Sequence, residues 1–549
     1  MESPPTTGHA ARPDWVLRLL AVPSATLGRR RPRRPRPEGA GGAPQSRWER
    51  LRAVPERTWR RLSFAALGIG AFIGYLVLPT YPIYDSEYYL FWGRQILHGQ
   101  LPSFTIFDSP TEHPLAIGFG TVLAIFGNVA LRLEVLAAVV SYLLIAGGLY
   151  RLTRIAFTPI VGAVAVVLLL TRFNLEFLAA RGYVDLTYCA AIVWAAALEI
   201  ERPRRGGPVF LLLLVAELIR PDAWLLAGLY WLWWAPPASW TSRIRWAAVT
   251  VSAPLIWIAI DWIVTGQPLY SLHRTQDTAV ALGRTVPLGQ VPATTWHYLI
   301  VLVKAPVLAG AIGGLALSAW LVPRRMLTPV IILLTGIATF ILISGAGLSV
   351  IDRYLLVPSV MLLVFCGFAL AGWTMLQRGW LRRVWATAAL GLATFGIYDV
   401  ASTLSVNRIE TELGFRNDGQ TSLVAVLDAP AVKRALGCGP VSVPDHKLRP
   451  DVMLLTGRSA SGVIDRNEAR YEAKVKHNRT LERRERGYGV AIYALGLAEI
   501  RYGIVGATDS ALDQDPFPGF APIFRSQYYA AYARCPPARA AAASVAAKR

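Results

Sequence analysis

The sequence predicts an α-helical membrane protein that crosses the bilayer many times and ends in a small α/β domain. Of its 549 residues, 54% are hydrophobic and 17% are charged, against about 45–50% and about 25% in an ordinary soluble domain. Apolar runs of about 20 residues, long enough to cross a bilayer, recur from Leu62 to Tyr398. Beyond these runs the composition becomes that of a soluble domain. The pattern excludes collagen-like, disordered and disulfide-scaffold proteins, and it divides the chain into residues 1–61, 62–404 and 405–549.

The segment 1–61 carries the largest concentration of the net charge of +21. Between Arg29 and Arg61 there are twelve arginines against three glutamates, immediately before the first apolar run. The positive-inside rule places such a block in the cytoplasm, beside anionic lipid headgroups. An arm that binds RNA or DNA is the alternative, but the aromatic residues between Arg29 and Arg61 are limited to Trp48 and Trp59. We therefore expect a cytoplasmic, partly disordered segment with membrane lipids and no nucleic acid as partners.

In the region 62–404, the apolar runs are joined alternately by short basic turns and by loops that are longer or contain acidic residues. Assigning the basic turns to the cytoplasm predicts about 11 to 13 crossings and puts the C-terminal region outside. Residues 114–150 contain two apolar runs, but the charges on either side require only one net crossing of the membrane. The first run is therefore expected to be re-entrant or very short. Residues 208–235 are either two short helices broken at Arg220-Pro221 or one kinked helix, because proline lacks a hydrogen-bond donor. The basic turns contain Arg151 and Arg154, Arg202, Arg204 and Arg205, Arg243 and Arg245, Arg324 and Arg325, and Arg378, Arg382 and Arg383.

The region 405–549 alternates short apolar runs with turn residues, which is typical of a small α/β domain. Cys438 and Cys535 lie here and are candidates for a disulfide if the region is outside the cytoplasm. Cys189 and Cys366 lie in apolar runs and are interpreted as packing residues. The expected strands are Ser422–Leu427, Val441–Val443, Val452–Leu455, Gly489–Ala494 and Tyr502–Val505, and the expected helices are Asp428–Leu436 and Asn467–Lys474.

The first loop between apolar runs, residues 81–113, concentrates side chains that can carry chemistry. Ionised groups are costly where they pack against membrane helices, so such a cluster indicates a site at the membrane interface. The alternative is a solvated loop whose charges have no role. The charged and histidine side chains of the loop are Asp85, Glu87, Arg94, His98, Asp108, Glu112 and His113.

Motifs in this loop and beyond it follow one another in a consistent order and on one expected side of the membrane. The loop contains Asp85 and Glu87 followed by paired tyrosines, a His98-Gly99-x-x-Pro102 turn, and His113-Pro114-Leu115. Together with the later motifs they resemble the GT-C glycosyltransferases over about residues 62–400. These multi-pass enzymes use lipid-phosphate-linked sugars and include protein O-mannosyltransferase and aminoarabinose-transferase branches. The later motifs are Arg181-Gly182-Tyr183-Val184-Asp185, Arg220-Pro221-Asp222, Thr265-Gly266-Gln267-Pro268 and Asp352-Arg353-Tyr354-Leu355-Leu356-Val357-Pro358.

The resemblance implies transfer of a sugar from a polyprenyl-phosphate-linked donor to an extracytoplasmic acceptor, which is a glycan, a lipid or a protein. Asp85 is then the general base, and a single displacement inverts the anomeric carbon. Glu87 positions the acceptor, or holds a divalent cation such as Mg²⁺ or Mn²⁺ together with Asp85. Asp185 is either a second acidic member of the site or a structural partner of Arg181.

The donor phosphate requires cations, for which arginine is suited by its fixed fork of donors. Arg353 is the first candidate, followed by Arg220, Arg94 and His113; the alternative for the first two is a helix-end arginine that reaches to the interface. The tyrosines of the loop either stack on a sugar or belong to an interfacial aromatic belt. The segment 266–290 either lines the cleft or forms an amphipathic helix on the membrane. Candidate cleft residues are Tyr88, Tyr89, Asp108, Glu112, His273 and Arg274.

Two other classes of function compete with a transferase. A transporter or a flippase for lipid-linked sugars would use the same acidic and arginine residues as a pathway. A membrane-anchored binding protein would not need the first-loop carboxylates. The charged groups gather on one expected face, whereas a pathway needs them near helix centres in both halves, so the sequence favours an enzyme of the plasma membrane. Its N-terminus is expected in the cytoplasm, and its active site and C-terminal domain outside.

Overall fold

The computed structural model describes residues 55–281, 283–403, 406–496, 498 and 515–537. Most of the basic segment 1–61, the expected strand Tyr502–Val505 and the end of the chain lie outside these residues. Between Glu56 and Thr403 the described chain folds almost entirely into helices. Their bounds are α1 Glu56–Val77, α2 Tyr84–Leu97, α3 Pro114–Ala124, α4 Ala130–Ala156, α5 Pro159–Leu169, α6 Phe173–Ala180, α7 Asp185–Glu201, α8 Gly207–Ile219, α9 Ala223–Trp234, α10 Trp240–Thr265, α11 Tyr270–Ala281, α12 Val291–Val303, α13 Ala305–Leu321, α14 Pro323–Gly345, α15 Leu356–Ala371 and α16 Trp380–Thr403.

Within the described residues, six helical stretches are long and apolar enough to cross a membrane, or up to eight if each of two bent helix pairs is one span. The chain is therefore a multi-pass membrane protein, and the predicted helical membrane fold is confirmed. The count is smaller than the expected 11 to 13 crossings because several apolar helices have fewer than 18 residues. Two of these, α3 and α8, are apolar but short. The bent pairs are α5 with α6, at 65°, and Leu288–Val303 with α13, at 107°.

Helix α15 forms the centre of the bundle. It is apolar on all sides, and nearly all of its side chains are buried, as expected for a helix surrounded by others. It packs against α5, α13 and α14. A 3-10 turn, Asp352–Leu355, leads into it, so the most buried of the described membrane spans fixes the position of Arg353.

The stretch 208–235 forms two helices, α8 and α9, which separate at Arg220-Pro221. Arg220 has extended backbone angles of φ −145° and ψ 130°, because the ring of a following proline disfavours helical geometry. Segment 114–150 likewise begins with a short helix, α3, of 11 residues. The break at Arg220 places a charged side chain at a helix end inside the bundle.

Beyond the bundle, the described residues form a small domain on a mixed sheet of five strands, β1 Val441–Val443, β2 Val463–Asp465, β3 Gly489–Ala494, β4 Ala521–Arg525 and β5 Tyr529–Arg534, in the order β2-β1-β3-β5-β4. Strand β1 is parallel to β2 and β3, whereas β5 is antiparallel to β3 and β4. The structure joins Cys438 to Cys535 in a disulfide, with Cα atoms 5.1 Å apart. The α-helices are α17 Val406–Asp428, α18 Pro430–Leu436, α19 Arg449–Thr456, α20 Arg466–Lys474 and α21 Thr480–Glu485.

Two strand predictions in this domain were wrong. Ser422–Leu427 lies in α17, and Val452–Leu455 lies in α19. Short apolar runs do not distinguish a strand from the buried part of a helix. The predicted strands Val441–Val443 and Gly489–Ala494 are confirmed, as are the helices in Asp428–Leu436 and Asn467–Lys474, within one or two residues at their starts.

Candidate active site

The first loop contains helix α2, which lies between the membrane helices and the C-terminal domain. At its start, Ile83 N–H donates to the Arg181 carbonyl (2.9 Å), and Ser86 Oγ donates to the Gly182 carbonyl (2.7 Å). Its other side packs against α19. Asp85 and Glu87 are both buried, so the picture of a solvated loop does not describe them.

Asp85 belongs to a chain of alternating acids and arginines, which we call the ion-pair network. Arg353 Nη1 lies 3.0 Å from Asp85 Oδ2 and 3.7 Å from Asp185 Oδ2. Arg220 pairs with Asp185 and, at 2.7 Å, with Asp222 Oδ2. The five residues come from the starts of α2 and α7, the break between α8 and α9, and the turn before α15. Buried charges are stable only when paired, which the network achieves with three acids and two arginines.

The two arginines of the network differ in how many partners their guanidinium groups have. Arg220 is held by two carboxylates, and its guanidinium lies 4.2 Å over the ring of Tyr354. The Arg353 side chain is 24% exposed, and its Nε has no hydrogen-bond partner among the described residues. Asp85 Oδ1 also lacks a partner within the described part of the chain. Arg353 and Asp85 therefore each keep a buried polar atom without a hydrogen-bond partner among the described residues, beside the cavities that they line.

A small cavity of about 60 Å³ lies directly on the ion-pair network. A larger cavity of about 510 Å³, the polar cavity, opens on the other side of Asp85 and Arg353, between the bundle and the C-terminal domain. Asp85 and Arg353 line both cavities. The polar cavity has the volume of a small-molecule site, and it includes Glu87, Arg181, Arg416, Lys447 and Asp451 in its wall.

A third cavity of about 340 Å³, the apolar groove, lies among α9, α10, α11 and α14. Its walls are mostly apolar side chains, such as Trp224, Trp257 and Leu342. Its polar end is formed by His113 and Arg220, which also line the small cavity. The ion-pair network therefore stands between an apolar groove and a polar cavity.

Several predicted site residues meet at this junction. Asp185 pairs with Arg220 and approaches Arg353, which makes it the second acidic member of the cluster. Tyr89 and His113 lie together, with ring centroids 5.7 Å apart. The predicted residues that line the small cavity are Asp85, Tyr89, His113, Asp185, Arg220, Arg274 and Arg353.

Glu87 is near Asp85 in sequence but faces a different partner. Side chains two positions apart on a helix point in different directions. The carboxyl group of Glu87 meets that of Asp451 in the C-terminal domain. Asp451 Oδ1 also accepts a 2.9 Å hydrogen bond from the Tyr81 hydroxyl. Burial and the Asp451 charge raise the pKa of Glu87, and burial raises the pKa of Asp451 to about 6. The carboxyl groups of Asp85 and Glu87 therefore face different partners, Arg353 and Asp451. No group of three or more His, Cys, Asp or Glu suited to a metal occurs in the described residues.

Three further candidates for the substrate cleft lie in the packing behind it. Tyr88 is fully buried, with its ring centroid 5.3 Å from that of Trp92. Asp108 Oδ2 lies 4.0 Å from His446 Nδ1. Glu112 is buried, and this burial raises its pKa to about 8, so it is protonated near neutral pH. None of these three residues lines the three cavities, and their positions do not support a direct role in the cleft.

Two candidates lie at the surface. Arg94 is exposed at the end of α2, where its Nη1 donates to the Leu454 carbonyl at 3.3 Å. His273 is exposed on α11. Neither residue lines one of the three cavities, so the position of Arg94 does not support its expected role at the donor phosphate.

The structure also adds residues that sequence reasoning missed as members of the site. Asp222 and Tyr354 both contact Arg220. Each lies inside a motif quoted in the sequence analysis, and these motifs were the only indication in the sequence that the two residues belong to the site. Lys447 and Asp451 line the polar cavity, but they belong to a soluble-looking region with no local signal. Only folding brings them to α2.

The fold defines a class: the chain is a multi-pass membrane protein with the GT-C fold. No protein-family model matches the chain, and no curated protein is similar to it in sequence. The fold is shown by similarity to solved structures, at low sequence identity.

ArnT from Cupriavidus metallidurans bound to undecaprenyl phosphate is similar, with a TM-score of 0.52 and 12% identity over 87% of this chain and 98% of that one. The apo form of that ArnT has a TM-score of 0.51 and 13% identity, with the same coverage. The oligosaccharyltransferase of Archaeoglobus fulgidus, tethered to an acceptor peptide containing the NVT sequon, has a TM-score of 0.51 and 11% identity over 88% of this chain and 75% of that one. Both proteins are GT-C glycosyltransferases, which confirms the predicted resemblance in fold.

Proposed function

We propose that the chain is a glycosyltransferase that moves a sugar from a polyprenyl-phosphate-linked donor to an acceptor hydroxyl. The observation that carries this proposal is the position of the ion-pair network, between an apolar groove and a polar cavity. A lipid-linked sugar needs an apolar site for its chain, cations for its phosphate and a base near its anomeric carbon. The similarity to an ArnT structure bound to undecaprenyl phosphate supports a donor of this class.

The donor binds with its isoprenoid chain in the apolar groove and its phosphate at the polar end of that groove. Arg353 is the principal phosphate ligand, because its Nε is unpaired in the described part of the chain and its side chain is partly exposed. Arg220 is already held by Asp185 and Asp222. It therefore positions the acids and adds positive potential at the phosphate, and His113 beside it can donate a hydrogen bond.

The acceptor enters from the polar cavity, where Asp85 Oδ1 is available as a general base. As the acceptor oxygen bonds to the anomeric carbon, Asp85 takes its proton. The bond from that carbon to the phosphate oxygen breaks, and its electron pair leaves with the phosphate, whose charge Arg353 stabilises. Because one displacement occurs, the anomeric carbon is inverted. Burial of the network excludes bulk water from this step.

The active site and the C-terminal domain are assigned to the extracytoplasmic side of the plasma membrane, with the segment 1–61 in the cytoplasm. The arginine block of that segment supports this orientation. The Cys438–Cys535 disulfide supports it as well, because disulfides persist in oxidising compartments. The acceptor is a cell-envelope glycan, lipid or protein.

The test is transfer of labelled sugar from polyprenyl-phosphate donors by the purified full-length chain. We expect Asp85→Asn to lose about 10²–10⁴-fold in rate, as when a general base is removed. Asp428→Asn is the matched control, because this carboxylate is exposed and forms only a surface pair with Lys433. Full activity of Asp85→Asn would contradict its role as base. Flux of a lipid-linked sugar across vesicles without transfer would favour a flippase instead.

A further inference from the structure

The wall of the polar cavity contains a concentration of positive charge that the donor site does not use. Besides Arg353, four basic residues line it: Arg181, Arg284, Arg416 and Lys447. They come from the turn before α7, the segment after α11, helix α17 and the turn before α19. We call them the basic cluster. No single element of the chain carries more than one of them, so the cluster exists only in the folded protein.

Two members of the cluster have no ion-pair partner in the part of the chain that the structure describes, namely Lys447 and Arg284. Burial lowers the pKa of Lys447, and the nearby charges of Arg284, Arg416 and Arg181 lower it further, against the opposing effect of Asp445. Gathering like charges in a partly buried site costs stability. A bound ligand of opposite charge offsets this loss of stability.

The acidic groups of the same wall are fewer than its basic groups, since Asp85, Glu87, Asp352 and Asp451 stand against the four residues of the cluster and Arg353. Asp85 is paired with Arg353, and Asp352 Oδ1 accepts the backbone N–H of Arg353 at 2.8 Å. Glu87 and Asp451 face each other, and the pKa of each carboxyl group is raised, so the pair carries less than its full negative charge. The cavity wall therefore keeps an excess of positive charge.

Aromatic rings hold two of the guanidinium groups in place. Arg181 and Arg416 both lie against Phe177, with distances of 5.4 and 5.8 Å from the guanidinium carbon to the ring centroid. Arg181 also lies 5.6 Å over the ring of Tyr183. Contacts of this kind orient a guanidinium group.

We propose that the basic cluster binds an oxyanion, phosphate or carboxylate, carried by the acceptor, and thereby turns the acceptor hydroxyl toward Asp85. The acceptor part of this proposal rests on the proposed glycosyl transfer, whereas the binding of an anion does not. Three of the four residues are separate from the donor phosphate, because Lys447, Arg181 and Arg416 line the polar cavity and neither the small cavity nor the apolar groove, whereas Arg284 lines the small cavity as well. A volume of about 510 Å³ accommodates a small molecule or the head of a larger one.

The binding test uses the purified full-length chain in detergent and needs no turnover. Thermal unfolding is measured with inorganic phosphate, with acetate and with undecaprenyl phosphate, each against chloride at equal ionic strength. The variants are Lys447→Gln and Arg284→Gln. The matched control is Lys433→Gln, whose side chain is 59% exposed.

We expect phosphate or acetate to raise the Tm of the wild type and of Lys433→Gln, and the stronger of the two identifies the anion class. In Lys447→Gln and Arg284→Gln the half-saturating anion concentration should rise at least about tenfold, since a lost charge-assisted hydrogen bond is worth about 1.5–3 kcal/mol. Stabilisation by undecaprenyl phosphate should be unchanged in Lys447→Gln, because Lys447 lines only the polar cavity. Without anions, Lys447→Gln should be at least as stable as the wild type, because it removes a half-buried cation that has no ion-pair partner among the described residues.

Other outcomes overturn the proposal. If both variants keep the stabilisation by anions, the cluster is not the anion site. If they lose stabilisation by undecaprenyl phosphate in parallel, the cluster belongs to the donor site. A lower Tm of both variants without anions would show a structural role. When transfer is measured, the KM for the acceptor should rise while that for the donor stays constant; anion binding without any transfer would refute the proposed function and leave the anion site standing.

Discussion

At the scale of single residues, Asp85 and Glu87 differ although both belong to helix α2. Asp85 meets Arg353, a permanent cation, and keeps one oxygen without a partner among the described residues. Glu87 meets another carboxyl group, that of Asp451, in a buried contact with the C-terminal domain. The same residue chemistry therefore supports a base in one position and a proton-holding contact in the other, because the neighbours differ.

The contact between Glu87 and Asp451 makes stability depend on pH. The pKa of Asp451 is raised to about 6 in the folded protein, above its ordinary value near 3.9 when unfolded. The stability that its proton contributes is complete below about pH 4 and is lost as the pH rises through about 6. We expect the Tm measured by thermal unfolding to fall less between pH 4 and pH 8 in Asp451→Asn than in the wild type, with a difference of several degrees.

The exposed Asp428→Asn serves as control and should keep the wild-type profile. Buried Glu112 and Glu485, with pKa values raised to about 8 and about 7, add a dependence of the same sign. Part of the slope should therefore remain in Asp451→Asn. A profile of that variant identical to the wild type would show that Asp451 is not titrating in this window.

Much of the site at this scale could be predicted from the sequence. Asp85, Asp185, Arg220 and Arg353 lie in motifs beside apolar runs, where a charge is unusual enough to be noticed. Glu112 and Asp108 carry the same signal but pack behind the cavities. Composition and spacing report that a charge is near the membrane, but they do not report which way its side chain points.

At the scale of elements, the packing of α13 against α15 fixes Arg353. Gly314 of α13 touches the backbone of α15 at Phe365, where an added side-chain carbon would collide with the carbonyl group. Because α15 begins just after Arg353, a shift of this helix moves the arginine relative to Asp85. The packing of α15 in the middle of the bundle therefore influences the position of Arg353 in the candidate active site.

We expect Gly314→Ala to destabilise the protein by about 1–3 kcal/mol, as overpacking does, and to reduce glycosyl transfer as Arg353 is displaced. Gly313→Ala is a close control, because a side-chain carbon there meets no atom within 4 Å. Unfolding in denaturant and transfer rates measure both effects. Equal behaviour of the two variants would argue against this contact as the constraint on α15.

The wrong strand predictions also belong to this scale. Leu423, Val426 and Leu427 are buried on one side of α17, a spacing that suits a helix once the preceding turns are included. A window of six residues is too short to show that period. Long apolar runs such as those of α14 and α16 were identified because their length alone is informative.

At the scale of the whole molecule, the C-terminal domain completes the site. It supplies Arg416, Lys447 and Asp451 to the polar cavity, and its contacts with the first loop include the Tyr81–Asp451 hydrogen bond. The disulfide closes this domain between residues separated by 97 positions. The stability of the domain should therefore affect the acceptor side more than the apolar groove.

We expect the double variant Cys438→Ser and Cys535→Ser to lose about 2–5 kcal/mol of stability, mainly because the unfolded chain regains the entropy of an open loop. Denaturant unfolding of the wild type with and without a reductant provides the comparison, and the reduced wild type should match the variant. An unchanged midpoint on reduction would show that the disulfide does not hold the domain together.

The sequence by itself determined the membrane class, the helical bundle, the separate C-terminal domain and every residue of the ion-pair network except Asp222, because apolar length and intramembrane charge are local properties. Tertiary structure decided which charges meet. Asp85 and Arg353 are 268 positions apart, and Glu87 finds its partner in the C-terminal domain. Such pairs depend on how helices pack and on where the domain docks, and these arise from many weak contacts that no single stretch of sequence contains.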